Sequence, residues 1–166
     1  MSNISFVNRQ LYLAKKSIER SLLPINKLKQ EQLKNLVGTY RIVVEPNFIP
    51  WMLQAYQTSR SDKAKKVLDE NIRDEIAQNH PGMLRNFVES CGVKISQEQY
   101  QRAAKPVLDI WRLFSKRNGL ANLAVAATLE NTSLIFIPYL EEIGKTLGCK
   151  DFTYTKVHGE ADIKHA

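Results

Sequence analysis

Scarcity narrows this sequence before any motif does. Its two cysteines, Cys91 and Cys149, form no CxxC pair and are too few for a disulfide framework. A reducing, cytoplasmic setting is therefore the expectation. No run approaches the ~20 apolar residues of a membrane span. The richest apolar stretch, Leu134 to Leu140, is short and holds Pro138. The first residues scatter Arg9, Lys15, Lys16, Glu19 and Arg20, which leaves no apolar block for a secretory signal. Period-two alternation is confined to Arg41–Val44 and Phe152–Tyr154, so sheet-based classes drop out. Internal repeats, low-complexity segments and zinc-finger, RNP or KH signatures are all missing. Histidine is scarce too: His80, His158 and His165 are the full set.

What remains is an ordinary soluble composition, 43% apolar and 25% charged, over 166 residues. That is enough chain for one domain, residues 1–166, with a real core. The net charge is +7. Up to Tyr40 there are seven basic residues against Glu19 and Glu31. These charges alternate with apolar residues at helical spacing, as on the solvated face of an amphipathic helix. Neither a nucleic-acid nor a membrane partner is expected.

In order, residues 3–23 read as a first helix closed by Pro24. A second starts near Lys29 and carries Leu33, Leu36, Tyr40 and Val43 at 3–4 spacing. Pro50 suits the first turn of a continuing helix, Trp51 to Thr58. After the capping-rich Ser59–Asp62, Ala64 to Ala77 is helical. Asn79-His80-Pro81-Gly82 then breaks the chain and opens Met83 to Ser90, which Gly92 ends. Ser96 with Gln99 forms a capping box for a helix to about Arg117, with Pro106 inside it. Leu120 to Leu147 is the longest and most apolar helix, closing at Gly148. Residues 150–157 read as a loop, followed by a polar terminal helix. The fold class is all-α, an up-and-down bundle of about seven helices.

Three polar constellations stand out. His158, Asp162 and His165 lie at i, i+4 and i+7 on the terminal helix, about 0°, 40° and −20° around its axis at about 100° per residue. Two imidazoles and a carboxylate on one stripe suit a nitrogen- and oxygen-preferring transition metal. The bland alternative is a frayed polar tail. Glu75 and His80 would face one point only if the chain breaks between them. Otherwise Glu75 is a surface acid beside Arg73 and Asp74, and His80 a turn residue. Glu130 sits midway along the most apolar helix, sharing a face with Leu123, Ala127, Leu134 and Ile137. An ionised carboxylate there needs a metal or a partner such as Arg85 or Lys105, unless it is exposed beside Asn131 and Thr132. Tyr40, Tyr56, Tyr139 and Trp51 could line a cavity, although aromatics at this spacing are more often core.

The ordered set Asp74-Glu75 with His80-Pro81, then Leu129-Glu130, then His158-x3-Asp162-x2-His165, resembles the haem-oxygenase-like diiron oxidases and oxygenases. That family is related to the chlamydial protein associating with death domains and to the TenA and PqqC folds. The resemblance runs from about Leu33 to the end. It implies a seven-helix bundle enclosing two iron ions (Fe2+), with Glu75, His80, Glu130, His158, Asp162 and His165 as ligands. Positions would stay open for O2, and Glu130 would bridge or lie between the metals. No catalytic residue beyond the ligands is implied. The implied activity is oxidation or cleavage of a small organic substrate, and a homodimer is compatible with the family. The alternative on the same scaffold is a metal-free small-molecule binding or interaction protein. Two departures stand out: the Glu75–His80 interval is short, and the final helix reads as truncated just past His165, weakening its hold on a second metal. Without a histidine before His80 the chain departs from haem oxygenases, and Cys91 and Cys149 at helix ends depart from thiaminase-type TenA proteins.

Overall fold

Proline, glycine and capping residues divide the chain where the sequence indicates. The computed structural model describes residues 3–114 and 118–165, except for the side chains of 3–6 and 160–165. The described residues form eight α-helices and one short 3-10 turn, Ile25–Lys27. The helices are α1 (Asn3–Ser21), α2 (Gln30–Val44), α3 (Phe48–Thr58), α4 (Asp62–Ala77), α5 (His80–Ser90), α6 (Gln97–Phe114), α7 (Gly119–Leu147) and α8 (Thr153–His165).

The expected caps are present. The Ser61 hydroxyl accepts from the Ala64 amide and opens α4. Ser96 and Gln99 exchange side-chain and backbone hydrogen bonds at the start of α6. Asn118 accepts from the amides of Leu120 and Ala121 at the start of α7. Gly148 ends α7 with φ 74°, a left-handed conformation that glycine adopts at no steric cost.

Three readings are corrected. Residues 153–157 are not loop: α8 begins at Thr153, whose amide donates to the Asp151 carboxylate at 2.9 Å. That bond satisfies an orphan helix-terminal N–H and holds the Asp151 carboxyl below its ordinary range. The strand-like alternation at Arg41–Val44 and Phe152–Tyr154 is overridden by helical packing, so the former lies wholly in α2 and Thr153–Tyr154 opens α8. Finally, α7 at 29 residues is long and apolar enough, by length and composition, to cross a membrane. In this fold α1, α2, α3, α6 and α8 pack against it, which makes it the central core helix.

The apolar interior has two parts. One gathers Leu33, Val37, Phe87, Val88, Leu140 and Ile143. The other gathers Trp51, Met52, Leu68, Ile72, Phe114 and Ala126. Along α7 the second part ends at Ala126 and the first begins at Ile137. Between them lie buried polar side chains: Asn71, Glu75, His80, Glu130, Asn131 and His158. The fold places this polar layer across the middle of the bundle.

The start of α7 docks on the end of α3. Asn122 donates to the Thr58 hydroxyl at 2.8 Å, and a Cβ on Gly119 would stand 2.1 Å from the Thr58 carbonyl oxygen. Backbone cannot yield as a flexible side chain can. Gly119→Ala is therefore expected to cost about 1–3 kcal/mol, read as a lower urea midpoint at unchanged m-value.

Glu45, at the end of α2, is held by Arg41 and Arg85, each at 2.5 Å. Burial pushes its carboxyl up, but the hydrogen bonds and charges of the two guanidinium groups together hold it below the usual value of 4.5. A depressed carboxylate contributes stability above its unfolded pKa and loses it as pH falls through the folded value. The stability advantage of the natural chain over Glu45→Gln should thus be full near neutrality and shrink below about pH 4.5, measured by denaturation at stepped pH.

Candidate metal centre

The break between α4 and α5 is what makes a site. Asn79 adopts a left-handed conformation, φ 54° and ψ 47°. This is a region that Asn tolerates better than most residues. The turn stops α4 at Ala77 and restarts the chain at His80, with Pro81 in the first turn of α5. On a continuous helix residues five apart point away from each other. Across this turn the His80 Nδ1 donates to the Glu75 carboxylate at 2.9 Å. Both side chains are buried, so the surface-acid and turn-residue alternatives fall away.

The terminal helix α8 brings the third group. His158 is buried, and its ring meets that of His80 edge-on with centroids 4.6 Å apart. Its Nε2 lies 3.9 Å from the same Glu75 oxygen. One donor atom from each of Glu75, His80 and His158 falls within 4.8 Å of the other two. Two imidazoles and one carboxylate converging in a dry interior are the donor set of non-haem Fe(II) oxygenases when coordination positions stay open. The residues present fit such a metal.

Glu130 lies beside this trio but outside it. It is buried, so the exposed alternative is excluded. The sequence-level partners are engaged elsewhere: Arg85 with Glu45 and Lys105 with Asp109. Its carboxylate instead accepts from the Asn71 amide at 2.5 Å. The side chains of Asp162 and His165 lie outside the described residues, although helix α8 runs through His165.

Sequence reasoning missed Asn71, Gln78 and Tyr154. Gln78 Oε1 lies 3.4 Å from the His80 Nε2. Tyr154 packs its ring on His158 at 4.4 Å and shares a 2.9 Å hydroxyl contact with Tyr40. The available signal was spacing: Asn71 stands four residues before Glu75, and Tyr154 four before His158, each on the same helical face.

The cluster borders a chamber of about 250 Å³. A larger depression, about 1020 Å³, opens between α2 and the start of α6, but neither His80 nor His158 lines it. The smaller chamber is therefore the functional candidate. Glu75, His80, Glu130 and His158 form one wall, and Tyr40, Phe48, Trp51, Phe136 and Tyr154 supply aromatic surface. Two of the aromatics considered as cavity-lining at the sequence level, Tyr40 and Trp51, line it. Tyr56 and Tyr139 do not.

A helical bundle with a buried imidazole–carboxylate cluster beside an apolar chamber is an arrangement suited to a non-haem metal. The comparisons agree. Residues 39–166 match the family model described as iron-containing redox enzyme, and the chain belongs to that family. Its all-α fold is the haem-oxygenase-like one expected. A 4-aminobenzoate synthase of Chlamydia pneumoniae is 29% identical, over 84% of this chain and 66% of that protein. The chain thus spans just under two thirds of the relative's length. No solved structure matches it.

Ligation is directly measurable. Titration with Co(II), followed by its visible ligand-field absorption, should saturate for the natural chain and fail for Glu75→Ala, His80→Ala and His158→Ala. Asn71→Ala, which removes the amide held against the neighbouring Glu130 carboxylate, should weaken binding roughly 10–100-fold. Unchanged titration in His158→Ala would exclude this cluster as the metal site.

Proposed function

We propose that the protein is a non-haem diiron oxidase or oxygenase that uses O2 to oxidise or cleave a small organic substrate. The observation that carries this reading is the buried Glu75–His80–His158 convergence at the wall of an apolar chamber. Membership of the iron-containing redox enzyme family supports iron as the metal. Glu75, His80 and His158 would hold the first ion. Glu130, Asp162 and His165 would complete a second position, with Glu130 facing both.

Bound there, iron would supply O2 activation, which no protein side chain provides. The chain's own contributions are orientation and an apolar lining. The Asn79 turn fixes the His80 ring against Glu75. Asn71 holds one oxygen of Glu130, setting which way the other points. Tyr154, its ring tilted against that of His158 and its hydroxyl joined to Tyr40, fixes the second imidazole. Orienting contacts of this kind are conserved parts of how metal sites keep ligand geometry. The chamber's largely apolar walls offer a substrate few competing polar contacts. The Chlamydia relative carries the name 4-aminobenzoate synthase, and oxidative formation of an aromatic amine is within the reaction range proposed here.

Anaerobic loading with Fe(II), then exposure to O2, tests the reading. Elemental analysis should find up to two irons per chain, and O2 should be consumed in a substrate-dependent way. Glu130→Ala and Asp162→Ala should lower iron content toward one and abolish turnover. A chain that takes up no iron, and whose melting temperature ignores Fe(II), would instead be a metal-free binding protein on the same scaffold.

A further inference from the structure

A metal held by His80 would use one of its two ring nitrogens, and their surroundings differ. Nδ1 lies 2.9 Å from the Glu75 Oε1, and that same oxygen is 3.9 Å from the His158 Nε2. Ligand atoms each about 2.1 Å from one ion stand roughly 3–4 Å from one another. Both separations therefore fit edges of a single coordination shell. The second nitrogen, Nε2, points away from Nδ1 across the ring. Its partner among the described residues is the Gln78 Oε1, at 3.4 Å.

Gln78 owes its place to the turn that makes the site. Its backbone amide donates to the Asp74 carbonyl and caps α4, and the left-handed Asn79 follows at once. The two residues flanking Asn79 are thereby brought side by side. His80 is 2% exposed, whereas Gln78 is an exposed residue with water at hand for its own hydrogen bonds. The contact thus matters more to the ring than to the glutamine. An N–H buried without an acceptor is costly, and metal-ligating histidines donate their second ring N–H to an acceptor as a rule. A carboxamide oxygen can accept that hydrogen bond and adds no charge beside Glu75. Donation from Nδ1 to Glu75 and from Nε2 to Gln78 together describes a ring carrying both protons. A metal ion takes the place of the Nδ1 proton, which leaves to solvent, and the Nε2–H bond to Gln78 stays as it is.

We infer that His80 ligates through Nδ1, and that Gln78 is a positioning residue whose side-chain oxygen accepts from the His80 Nε2–H and so fixes the ring's tautomer and plane. The inference rests on Glu75, His80 and His158 being the metal site proposed above, but not on the substrate or on O2.

The test uses the 166-residue chain, two metal probes and no turnover. The first probe is the spin-active isotope of cadmium, read in a proton–cadmium correlation spectrum. Ligation through Nε2 couples the metal to both ring C–H protons across three bonds, whereas ligation through Nδ1 does so for Hε1 alone. His80 should show the Hε1 peak without its Hδ2 counterpart, together with a slowly exchanging Nε2–H. The second probe is Co(II) affinity. Gln78→Met, of similar length and without the acceptor, should weaken Co(II) binding roughly 10–100-fold and speed exchange of that N–H. Gln78→Glu, which keeps an oxygen in reach, should bind Co(II) within roughly threefold of the natural chain or more tightly. The metal-free melting temperature should stay the same in all three chains, which separates positioning from a structural role. Cadmium coupled equally to both His80 ring protons, unchanged Co(II) affinity in Gln78→Met, or equal losses in Gln78→Met and Gln78→Glu would each overturn the inference. The cadmium spectrum of the natural chain decides the nitrogen even if a variant fails to fold. A natural chain that binds neither ion would overturn the metal centre and this inference with it, whereas ligation through the other nitrogen overturns this inference alone.

Discussion

The contact between Glu75 and His80 is the constraint on which the rest of the structure turns. A carboxylate and an imidazole at 2.9 Å, both buried, are expensive to desolvate and return that cost only when their partners are placed well. The chain meets this by breaking a helix. The left-handed Asn79 gives up backbone comfort so that α4 and α5 can present both groups to one point. Once that point exists, α7 has to pass it with Glu130, and α8 has to deliver His158 to it. An all-apolar bundle of these helices would need neither the turn nor the polar layer. Strain and buried polarity cluster where a site is, which is the direction of inference that physical reasoning supports.

The division of the interior follows from the same constraint. Two apolar clusters flank the polar layer, and α7 threads both. This explains how a helix can be apolar enough to pass for a membrane span and still carry a buried glutamate at its midpoint. Its apolar residues serve two cores, while Glu130 and Asn131 belong to the seam between them. The aromatic side chains of the chamber are drawn from the boundary of these clusters, so the cavity is the space where the two cores do not quite meet. The docking of α7 on α3 through Gly119 and Asn122 then fixes how far along the bundle that seam lies.

Much of this was legible in the residues. Proline and glycine punctuation, the Ser96–Gln99 box and the apolar periodicity gave the helices and their order. The ligand types along the chain gave the polar layer. Two things were not legible, for different physical reasons. The start of α8 was hidden because Phe152-Thr153-Tyr154 alternates like a strand, and the Asp151 cap that decides the matter acts through a single side-chain contact. Glu130's partner was hidden because a carboxylate in an apolar helix invites a cation, whereas the fold supplies the neutral amide of Asn71. Arg85 and Lys105 were reasonable by charge, but tertiary packing gave them to Glu45 and Asp109.

Asn71 in place of a cation has a consequence for how the site works. A guanidinium on Glu130 would cancel the carboxylate's charge and compete with a metal for both oxygens. The neutral Asn71 amide takes one lone-pair direction and brings no positive charge of its own. The same economy holds across the layer: His80 and His158 meet edge-on and share the neighbourhood of one Glu75 oxygen. The chain is basic, net +7, yet among the described residues no lysine or arginine is buried, and Arg41 and Arg85 gather at Glu45 on the chamber's edge. The chamber beside the polar layer is largely apolar, without a lysine or arginine among its described lining residues.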